Sequence, residues 1–571
     1  MKRIWTCILA LALVFGCFST MPMSAEASDN NSSVYADWIN VNTPYTDSIR
    51  DYNDPDWFTF TLAQQGYVSF TFMHDLVDST GDVWEVYLYD EELENTLYWC
   101  EIYGNKVTTK GYKIGLPAGK YYVKVCKGWY GDYGYNVEYS LTVNATYTSV
   151  WESEPNNSWT SVDKISTGKY YNGIIKDSND SDWYRFTLSS QSYITFTMKH
   201  DLVNSTGDVW GLYLYNDELE DFYNWDIVGS KTTTTTCKVG LPKGTYYVKV
   251  RKGWYGDYGY GVPYSLKVDA TATSAWESEE NNDFTTADKI GLEKKYYGLI
   301  MNYNDHDWYK LSLSKTTDLL MTFTHNKVAT TGDVWGVYVY NSEINQVESW
   351  EIDGNQTTVK ERIKLKKGTY YIKICKGWYG DHGYGVTYGM TFSYYLSTPK
   401  VSTSNLSNGI QVKWNKVSNA SGYIVYRKTG SGAWRKLGKT TNKYYTDKTA
   451  KVGKTYKYTV KAYKSKSYSG YNKSGVALKR LTIPKLKTAA SSKKGITVKW
   501  SKVTGASGYI VYRKTGSGKW VKLKTVKGSS KVSYLDKTAK KGKTYRYTVR
   551  AYSGKSKGSY NTNGIKIKDR Y

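Results

Sequence analysis

The sequence predicts an all-β protein that consists of five β-sandwich domains in tandem. Two observations lead to this class. Apolar and polar residues alternate with a period of two in segments rich in aromatic and β-branched residues, such as 68–72, 121–125 and 456–462, a pattern typical of half-buried strands. Two kinds of internal repeat, with periods of about 125 and about 86 residues, divide the chain, and no run of helical period exceeds a turn or two.

The N-terminus has the anatomy of a secretory signal peptide. A basic start at 1–3 precedes an apolar run from Ile4 to about Phe18, and a small-x-small pattern follows at 25–27. We therefore expect residues 1–27 to be removed and the mature chain to be secreted, extracellular or cell-wall associated. Cys17 offers a lipoprotein alternative, although bulky Phe15 fits poorly so close to a cleavage point. No later segment is apolar enough to span a membrane.

Charge is distributed very unevenly along the chain. The formal net charge is +25. Residues 398–571 contain 43 Lys and Arg against three acids, whereas the first 397 residues contain 34 bases and 49 acids. The two parts therefore carry net charges of +40 and −15. Such asymmetry predicts that they contact different partners.

The longer repeat occurs three times and is defined by two motifs. Gly-Asp-Val-Trp occurs at 81–84, 207–210 and 332–335. Lys-Gly-Trp-Tyr-Gly-Asp occurs at 127–132, 252–257 and 376–381. We assign the three repeats to residues 28–146, 147–271 and 272–396.

These repeats resemble the bacterial pre-peptidase C-terminal domain, a family that includes the collagen-binding domains of clostridial collagenases. The resemblance rests on Glu-Ser-Glu-Pro-Asn-Asn at 152–157, on Asn-Asp-Ser-Asp-Trp-Tyr-Arg-Phe at 179–186 and on the strand pattern at 244–250. It implies jelly-roll-like sandwiches. Such domains normally accompany a secreted peptidase, and we recognise no catalytic domain in this sequence.

The shorter repeat occurs twice, at 397–480 and 481–571. Trp414 recurs as Trp500, and the run 421–430 recurs at 507–516. With the late strand at 453–462, these units resemble fibronectin type III domains. The resemblance implies seven-stranded sandwiches and, by itself, no chemistry.

Paired carboxylates in the second and third repeats suggest a structural calcium site. Acidic residues two apart on extended backbone point to the same face, and carboxylate and amide oxygens are the ligands that Ca²⁺ prefers. The resemblance also implies calcium. The candidate ligands are Glu152, Glu154, Asn156, Asn157, Asp180 and Asp182, then Glu277, Glu279, Asn281, Asn282, Asp305 and Asp307. The alternative is a solvated acidic linker followed by turn aspartates that bind no metal.

The first repeat departs from this pattern. Asn30, Asn31, Asp54 and Asp56 align with the candidate ligands, but Ser28 replaces the second glutamate. We expect its site to be weak or absent.

A glycine-rich loop in each repeat carries a candidate ligand platform. A buried tryptophan normally lies within a strand, so a Trp-Tyr pair between glycines suggests exposed rings that stack on a sugar or on a collagen-like ribbon. The candidates are Trp129, Tyr130, Trp254, Tyr255, Trp378 and Tyr379. The alternative is that the tryptophan folds back to cap the sandwich. Trp84, Trp210 and Trp335 are expected in the core.

The basic C-terminal pair of domains predicts binding to polyanions, because a field of this size attracts them. Outside a cell these are anionic cell-wall polymers, anionic lipids and acidic glycans; we expect no specific nucleic-acid partner. A merely soluble surface is the alternative. The representative candidates are Lys454, Lys457, Lys461, Lys543, Arg546 and Arg550.

Cysteines and histidines give weaker signals. Cys100 and Cys126 could pair, but no disulfide framework recurs in the repeats and no metal-type spacing is present. His74, His200 and His325 recur at matched positions, and we interpret them as structural.

The sequence therefore predicts a non-catalytic binding or adhesion protein. The three repeats would bind an extracellular polysaccharide or fibrous protein, and the basic pair would hold the chain to an anionic cell envelope. The alternatives are a secreted hydrolase acting on glycan or protein, or an accessory protein of one, and a structural spacer. We recognise no nucleophile–base set and no HExxH motif, so no enzyme is predicted.

Overall fold

The computed structural model describes residues 30–330 and 332–571; the predicted signal peptide, Ser28 and Cys17 lie outside this part. The described residues form two compact units, one ending at Glu279 and one starting at Glu280. Strands dominate both, which confirms the predicted all-β class. No helix among the described residues is long and apolar enough to cross a membrane. Their helices are short 3-10 turns at Ser33–Tyr35, Gly131–Gly134, Gly256–Gly259 and Gly380–Gly383.

The first repeat contains two facing sheets. Its strands are β1 (Asp37–Trp38), β2 (Pro44–Asp47), β3 (Asp56–Leu62), β4 (Gly66–His74), β5 (Asp82–Tyr89), β6 (Thr96–Tyr103), β7 (Thr108–Lys110), β8 (Ile114–Leu116), β9 (Gly119–Lys127) and β10 (Tyr139–Tyr147). One sheet has the order β1-β3-β9-β5-β6, and the other has β2-β10-β4-β7, with β8 also paired to β4. The alternating residues of both sheets fill one core, in which Trp84 is buried as predicted.

The second repeat has the same topology. Its strands are β11 (Asp163–Lys164), β12 (Tyr170–Ile174), β13 (Ser181–Leu188), β14 (Ser192–His200), β15 (Asp208–Tyr215), β16 (Asp221–Val228), β17 (Thr233–Thr235), β18 (Val239–Leu241), β19 (Gly244–Lys252) and β20 (Pro263–Ala272). The sheet orders are β11-β13-β19-β15-β16 and β12-β20-β14-β17, with β18 paired to β14. Trp210 is fully buried between them.

The third set of strands lies in the unit that starts at Glu280. Its members are β21 (Asp288–Ile290), β22 (Lys295–Gly298), β23 (His306–Leu313), β24 (Thr317–His325), β25 (Asp333–Asn341), β26 (Gln346–Asp353), β27 (Thr358–Leu365), β28 (Gly368–Lys376) and β29 (Tyr388–Tyr394). They form the orders β21-β23-β28-β25-β26 and β22-β29-β24-β27. One continuous strand, β27, replaces the two short strands of the earlier repeats. Trp335 is buried in this core.

The basic region folds into two further pairs of sheets. Its first strands are β30 (Val401–Asn405), β31 (Ile410–Trp414), β32 (Gly422–Lys428), β33 (Arg435–Thr440), β34 (Tyr444–Asp447), β35 (Thr455–Lys464), β36 (Ser467–Tyr468) and β37 (Val476–Lys479). Its second set is β38 (Leu486–Ser492), β39 (Gly495–Trp500), β40 (Gly508–Thr515), β41 (Val521–Lys527), β42 (Ser533–Asp536), β43 (Thr544–Ser553), β44 (Ser556–Lys557) and β45 (Ile565–Lys568). In the first set, a three-stranded sheet of order β30-β31-β34 accompanies a larger sheet of order β33-β32-β35-β36. In the second set, the corresponding orders are β38-β39-β42 and β41-β40-β43-β44.

The cysteines of the first repeat are not bonded to each other. Strand β5 lies between β6, which carries Cys100, and β9, which carries Cys126. Val86 is paired with Cys100 and Glu85 with Cys126, so the two thiols point to opposite faces of the sheet. Both are free, and burial raises the pKa of each thiol to about 11.

Candidate functional site

The aromatic loop of each repeat is held by an aspartate that starts a neighbouring strand. In the first repeat the backbone N–H of Trp129 donates to Asp82 Oδ2 at 2.8 Å, and that of Tyr130 donates to the Asp82 carbonyl at 2.9 Å. The corresponding distances from Trp254 to Asp208 and from Trp378 to Asp333 are 2.8 and 2.9 Å. The Asp of the Gly-Asp-Val-Trp motif therefore fixes the backbone of the Trp-Tyr motif.

A second contact braces the other side of the loop. Lys127 Nζ lies 3.0 Å from Asp132 Oδ1, and the matching ion pairs at Lys252 and Lys376 measure 2.9 Å. These pairs are exposed and contribute little energy singly. Together with the aspartate contacts, they recur with the same geometry in all three repeats.

The loop displays its tryptophan to solvent. Trp129, Trp254 and Trp378 are 84, 86 and 84 % exposed, and the tyrosine beside each is 47 % exposed. The alternative in which the tryptophan caps the sandwich is therefore wrong. A ring held on a fixed backbone loses little entropy on binding.

Open cavities border the loops of the first and second repeats. In the first repeat, Tyr130 and Tyr133 line a cavity of about 600 Å³. In the second repeat, Tyr255 and Tyr258 line a cavity of about 470 Å³. Trp254 also borders a cavity of about 510 Å³ whose wall includes Lys249, Arg251 and Tyr213. The loop of the second repeat thus stands between two surfaces that can contact an extended ligand.

Three carboxylates of the second repeat converge at the start of β13. One oxygen each of Glu154, Asp180 and Asp182 lies within 4.8 Å of the others, and all three residues are buried. Asp180 Oδ1, Asp182 Oδ1 and the buried amide oxygen of Asn156 accept no hydrogen bond within the described chain. Unsatisfied buried oxygens are costly, and a hard cation would satisfy them.

Electrostatic repulsion in this cluster is strong. Burial and the charge of Glu154 raise the pKa of Asp180 to about 7. Burial, followed by Asp180 and Glu154, raises the pKa of Asp182 well above its ordinary value. The cluster therefore needs protons or a cation to offset its charge.

Two predicted ligands lie beside the cluster with other partners. Glu152 Oε1 accepts the Ile174 N–H at 2.8 Å, and burial and Asp182 raise its pKa well above the ordinary value. Asn157 is exposed, and its side-chain oxygen accepts the Ser181 N–H at 2.8 Å, which fixes the start of β13.

Sequence reasoning missed a cation within the cluster. Lys176 Nζ lies 3.1 Å from Glu154 Oε1. Burial opposes its charge, but Glu154 and Asp180 outweigh that effect and raise the pKa of the ammonium. The Lys176 N–H also donates to Asp180 Oδ2 at 2.7 Å, as the Met301 N–H donates to Asp305 Oδ2 at 2.6 Å. The third repeat thus carries an apolar side chain where the second carries a counterion.

The predicted ligands of the third repeat are buried or exposed at the same positions as those of the second repeat. Glu277, Glu279, Asn281, Asp305 and Asp307 are all buried. Burial raises the pKa of Asp305 to about 6, and its Oδ1, like Asn281 Oδ1, accepts no hydrogen bond within the described chain. The side-chain oxygen of Asn282 accepts the His306 N–H at 2.7 Å, so it corresponds to Asn157.

The first repeat retains one buried carboxylate of this set. Asp56 is 2 % exposed and accepts a hydrogen bond from Tyr139. Burial, followed by the charge of Asp47, raises the pKa of Asp56 from 3.8 to about 8. Asn30 is buried near it, whereas Asn31 is exposed.

The raised pKa of Asp56 predicts that the first repeat loses stability as the pH rises. Above about pH 4 the unfolded state releases a proton that Asp56 keeps in the folded state. The free energy of unfolding therefore falls between about pH 4 and about pH 8, by at most about 1.4 kcal/mol per pH unit. Asp56→Asn should therefore raise the hydrogen-exchange protection of β3 at pH 8 and leave it unchanged near pH 4. Asp78→Asn, at an exposed position, is the control; equal protection of wild type and Asp56→Asn at pH 8 would contradict the prediction.

The segment that carries Glu152 and Glu154 also contacts the first repeat. Trp151 is buried, with its ring 4.6 Å from that of Tyr67. Gln65 Nε2 donates to the Trp151 carbonyl at 2.8 Å, and the Glu154 N–H donates to the Gly115 carbonyl at 2.9 Å. We call residues 150–154 the junction segment. Trp276 makes the equivalent ring contact with Tyr193, at a centroid distance of 5.1 Å.

The representative basic residues of the C-terminal region differ in exposure. Lys454 and Lys543 are exposed, whereas Lys457, Lys461, Arg546 and Arg550 are half-buried. Arg546 Nη1 donates to the Asn563 carbonyl at 2.8 Å, and Arg550 Nε donates to the Gly558 carbonyl. These two arginines keep their charge near the surface but are fixed by the backbone.

Comparisons with known proteins relate part of the chain to collagenases. Residues 180–252 match the bacterial pre-peptidase C-terminal domain. Collagenase ColA of Clostridium perfringens is 28 % identical over 229 residues, 39 % of this chain and 20 % of that protein. Collagenase ColT of Clostridium tetani is 25 % identical over 240 residues, 41 % of this chain and 23 % of that protein. The chain thus matches only about a fifth of the length of either relative.

Two solved structures are also similar to parts of the chain. The pre-peptidase C-terminal domain of a collagenase from Bacillus anthracis is 22 % identical and covers 19 % of this chain and 94 % of that one, with a TM-score of 0.16. The chicken CNTN1 FN1-FN3 domains are 17 % identical and cover 43 % of this chain and 99 % of that one, with a TM-score of 0.21.

Proposed function

We propose that the chain is a non-catalytic, secreted binding protein whose three aromatic loops bind an extracellular polymer. The observation that carries this proposal is the tryptophan that is fixed by an aspartate yet more than four-fifths exposed in each loop. The names of the relatives, both collagenases, favour a fibrous protein as the polymer, with a polysaccharide as the second class. They also support a second candidate function, an accessory role beside a secreted protease.

Three matched sites in one chain favour an extended ligand. Each loop offers one indole and one partly exposed phenol ring, too little surface for tight binding alone. Linked weak sites on a polymer can gain about 10²–10⁴ in apparent affinity over a single site. Repetition therefore serves binding to a repetitive ligand.

Calcium is the proposed structural cofactor of the second and third repeats. The cluster of Glu154, Asp180 and Asp182 fits the ion because it supplies buried carboxylate oxygens together with the free amide oxygen of Asn156. The bound ion would neutralise a charge that the folded chain otherwise offsets by protonation and by Lys176. Affinities of roughly 10⁻⁴–10⁻³ M are usual for extracellular modules.

The basic region is proposed to hold the protein to an anionic polymer of the cell envelope. Its net charge of +40 supports attraction that weakens as salt rises.

Removal of the three exposed indoles should strongly weaken polymer binding. The full chain and the Trp129→Ala/Trp254→Ala/Trp378→Ala variant would be sedimented with insoluble collagen, chitin and cellulose. A single substitution should weaken binding at least about tenfold, and the triple variant by about 10² or more because linkage between sites is lost.

Trp159→Ala is the matched control, since Trp159 is 48 % exposed and lies outside the loops. It should bind like wild type. Retention of the triple variant on the polymer that binds wild type would refute the role of the loops. Cleavage of any of these polymers by the purified chain would refute the non-catalytic assignment.

A further inference from the structure

The C-terminal basic surface contains no exposed carboxylate. Residues 398–571 hold only three acids, and Asp447, Asp536 and Asp569 are 2, 0 and 2 % exposed. Asp447 and Asp536 each pair with an arginine at 2.8 Å, and Asp569 accepts a hydrogen bond from Ser491 at 2.6 Å. Within residues 398–571, no exposed acidic side chain therefore competes with anions for the surface lysines and arginines.

An aromatic side chain lies on the outer face of the larger sheet in both basic sandwiches. Trp434 is half-buried, with Lys428 Nζ 4.8 Å from its ring. Trp520 occupies the matching place, with Lys514 Nζ at 5.0 Å. Lys428 is paired with Lys457 across the sheet, on the face opposite the core, so the ring lies among cations.

A glycine makes room for each indole. Gly475 and Gly564 have φ of +69° and +64°, and a Cβ at either position would lie 2.5 Å from the tryptophan Cη2 atom. The same left-handed turn lies under the same ring in both domains, whose loops at 471–475 and 560–564 share the pattern Tyr-Asn-x-x-Gly. The placement of the ring is therefore part of the fold of both domains.

A tyrosine ring packs in edge geometry beside each indole, at interplanar angles of 84° and 71°. Tyr471 lies 6.5 Å from Trp434, with Lys461 Nζ 4.9 Å from its own ring. Tyr560 lies 6.3 Å from Trp520 and stacks at 5.8 Å on Tyr512. We call Trp434 with Tyr471, and Trp520 with Tyr560, the aromatic shelves.

We propose that the two aromatic shelves and the lysines around them bind an acidic polysaccharide, with sugar rings on the shelves and carboxylates on the ammonium groups. The inference rests on the proposed attachment to an anionic polymer and specifies its chemistry. A polyanion without rings would use the charges and leave the shelves unused. Nucleic acid offers rings too, but an exported chain meets polysaccharide as the resident polymer.

The test compares the binding of the full chain to anionic polymers with and without rings. Binding to immobilised polygalacturonate, long-chain polyphosphate and single-stranded DNA would be measured from about 0.05 to about 0.5 M NaCl, a range over which purely ionic binding falls steeply. We expect polygalacturonate binding to persist to higher salt than polyphosphate binding. Trp434→Ala/Trp520→Ala should weaken polygalacturonate binding at least about tenfold and leave polyphosphate binding unchanged.

Two further variants make the outcomes distinct. Trp434→Phe/Trp520→Phe keeps a ring and should retain most of the binding, and Tyr444→Ala, at an exposed aromatic of the other sheet, should have no effect. If all polymers bind equally and the tryptophan substitutions have no effect, the proposed role of the aromatic shelves is refuted, whereas attachment by charge is not. Absence of binding to every polymer would overturn both. Tighter, tryptophan-dependent binding of DNA would overturn the choice of polysaccharide.

Discussion

Replacing Gly115 by valine should detach the junction segment from the first repeat. A Cβ at Gly115 would lie 1.9 Å from the Glu152 carbonyl oxygen and 2.4 Å from Trp151 Cδ1. The first contact is with backbone, which cannot move without breaking the adjacent hydrogen bond from Glu154 to Gly115. The buried indole of Trp151 should therefore leave its place against Tyr67. Loss of a buried tryptophan side chain costs about 3–5 kcal/mol.

Hydrogen exchange of peptides spanning 147–156 measures this effect in the full chain. Protection of Glu152 and Glu154 should be lost in Gly115→Val, while the strands of the second repeat stay protected. Gly119→Ala is the control, because a Cβ there meets its nearest neighbour at 3.4 Å, an ordinary contact. Trp151→Ala separates loss of the ring from displacement of the backbone. If Gly115→Val exchanges like wild type, the junction segment is not held in the way described.

The strands could be predicted because burial on one face imposes a period of two on the sequence. The alternating segments 68–72, 121–125 and 456–462 lie within β4, β9 and β35. The local sequence favours exposure of the loop tryptophans, since glycines on both sides leave no strand in which to bury a large ring, but it also allows a ring that folds back to cap the sandwich. These signals are local, and each is carried by a few consecutive residues.

The composition of the acidic cluster could be predicted only in part. Glu154, Asp180 and Asp182 were found by their spacing, but Lys176 enters the cluster because the turn before Asp180 brings it back toward Glu154. Tyr264 donates to Asp182 at 2.5 Å from the opposite sheet, a contact that exists only once the sandwich has closed. Asn157 has the right chemistry, yet its oxygen is used by the backbone. Local spacing cannot show which polar groups the closed fold has already satisfied.

Exchange of one residue between repeats should change their response to calcium. Lys176→Met removes the ammonium group that lies 3.1 Å from Glu154 Oε1 and gives the second repeat the residue found at Met301 in the third. Without calcium, the loss of one partner of a buried ion pair should destabilise the repeat by about 3–5 kcal/mol. With calcium, the freed carboxylate should bind the ion more tightly, by about tenfold or more, because no fixed cation competes for it.

Calorimetric titration and hydrogen exchange of the full chain, in about 10 mM calcium or in chelator, distinguish these two effects. An ion at about one hundred times its dissociation constant adds about 2.7 kcal/mol of stability. The difference in protection of β13 between calcium and chelator should therefore be larger in Lys176→Met than in wild type. The reverse exchange, Met301→Lys, should reduce that difference for β23 and serves as the matched control. The proposed ion and the lysine compete for the same carboxylates. If calcium does not reverse the destabilisation of Lys176→Met, the negative charge of the cluster is therefore offset by the lysine and not by the ion.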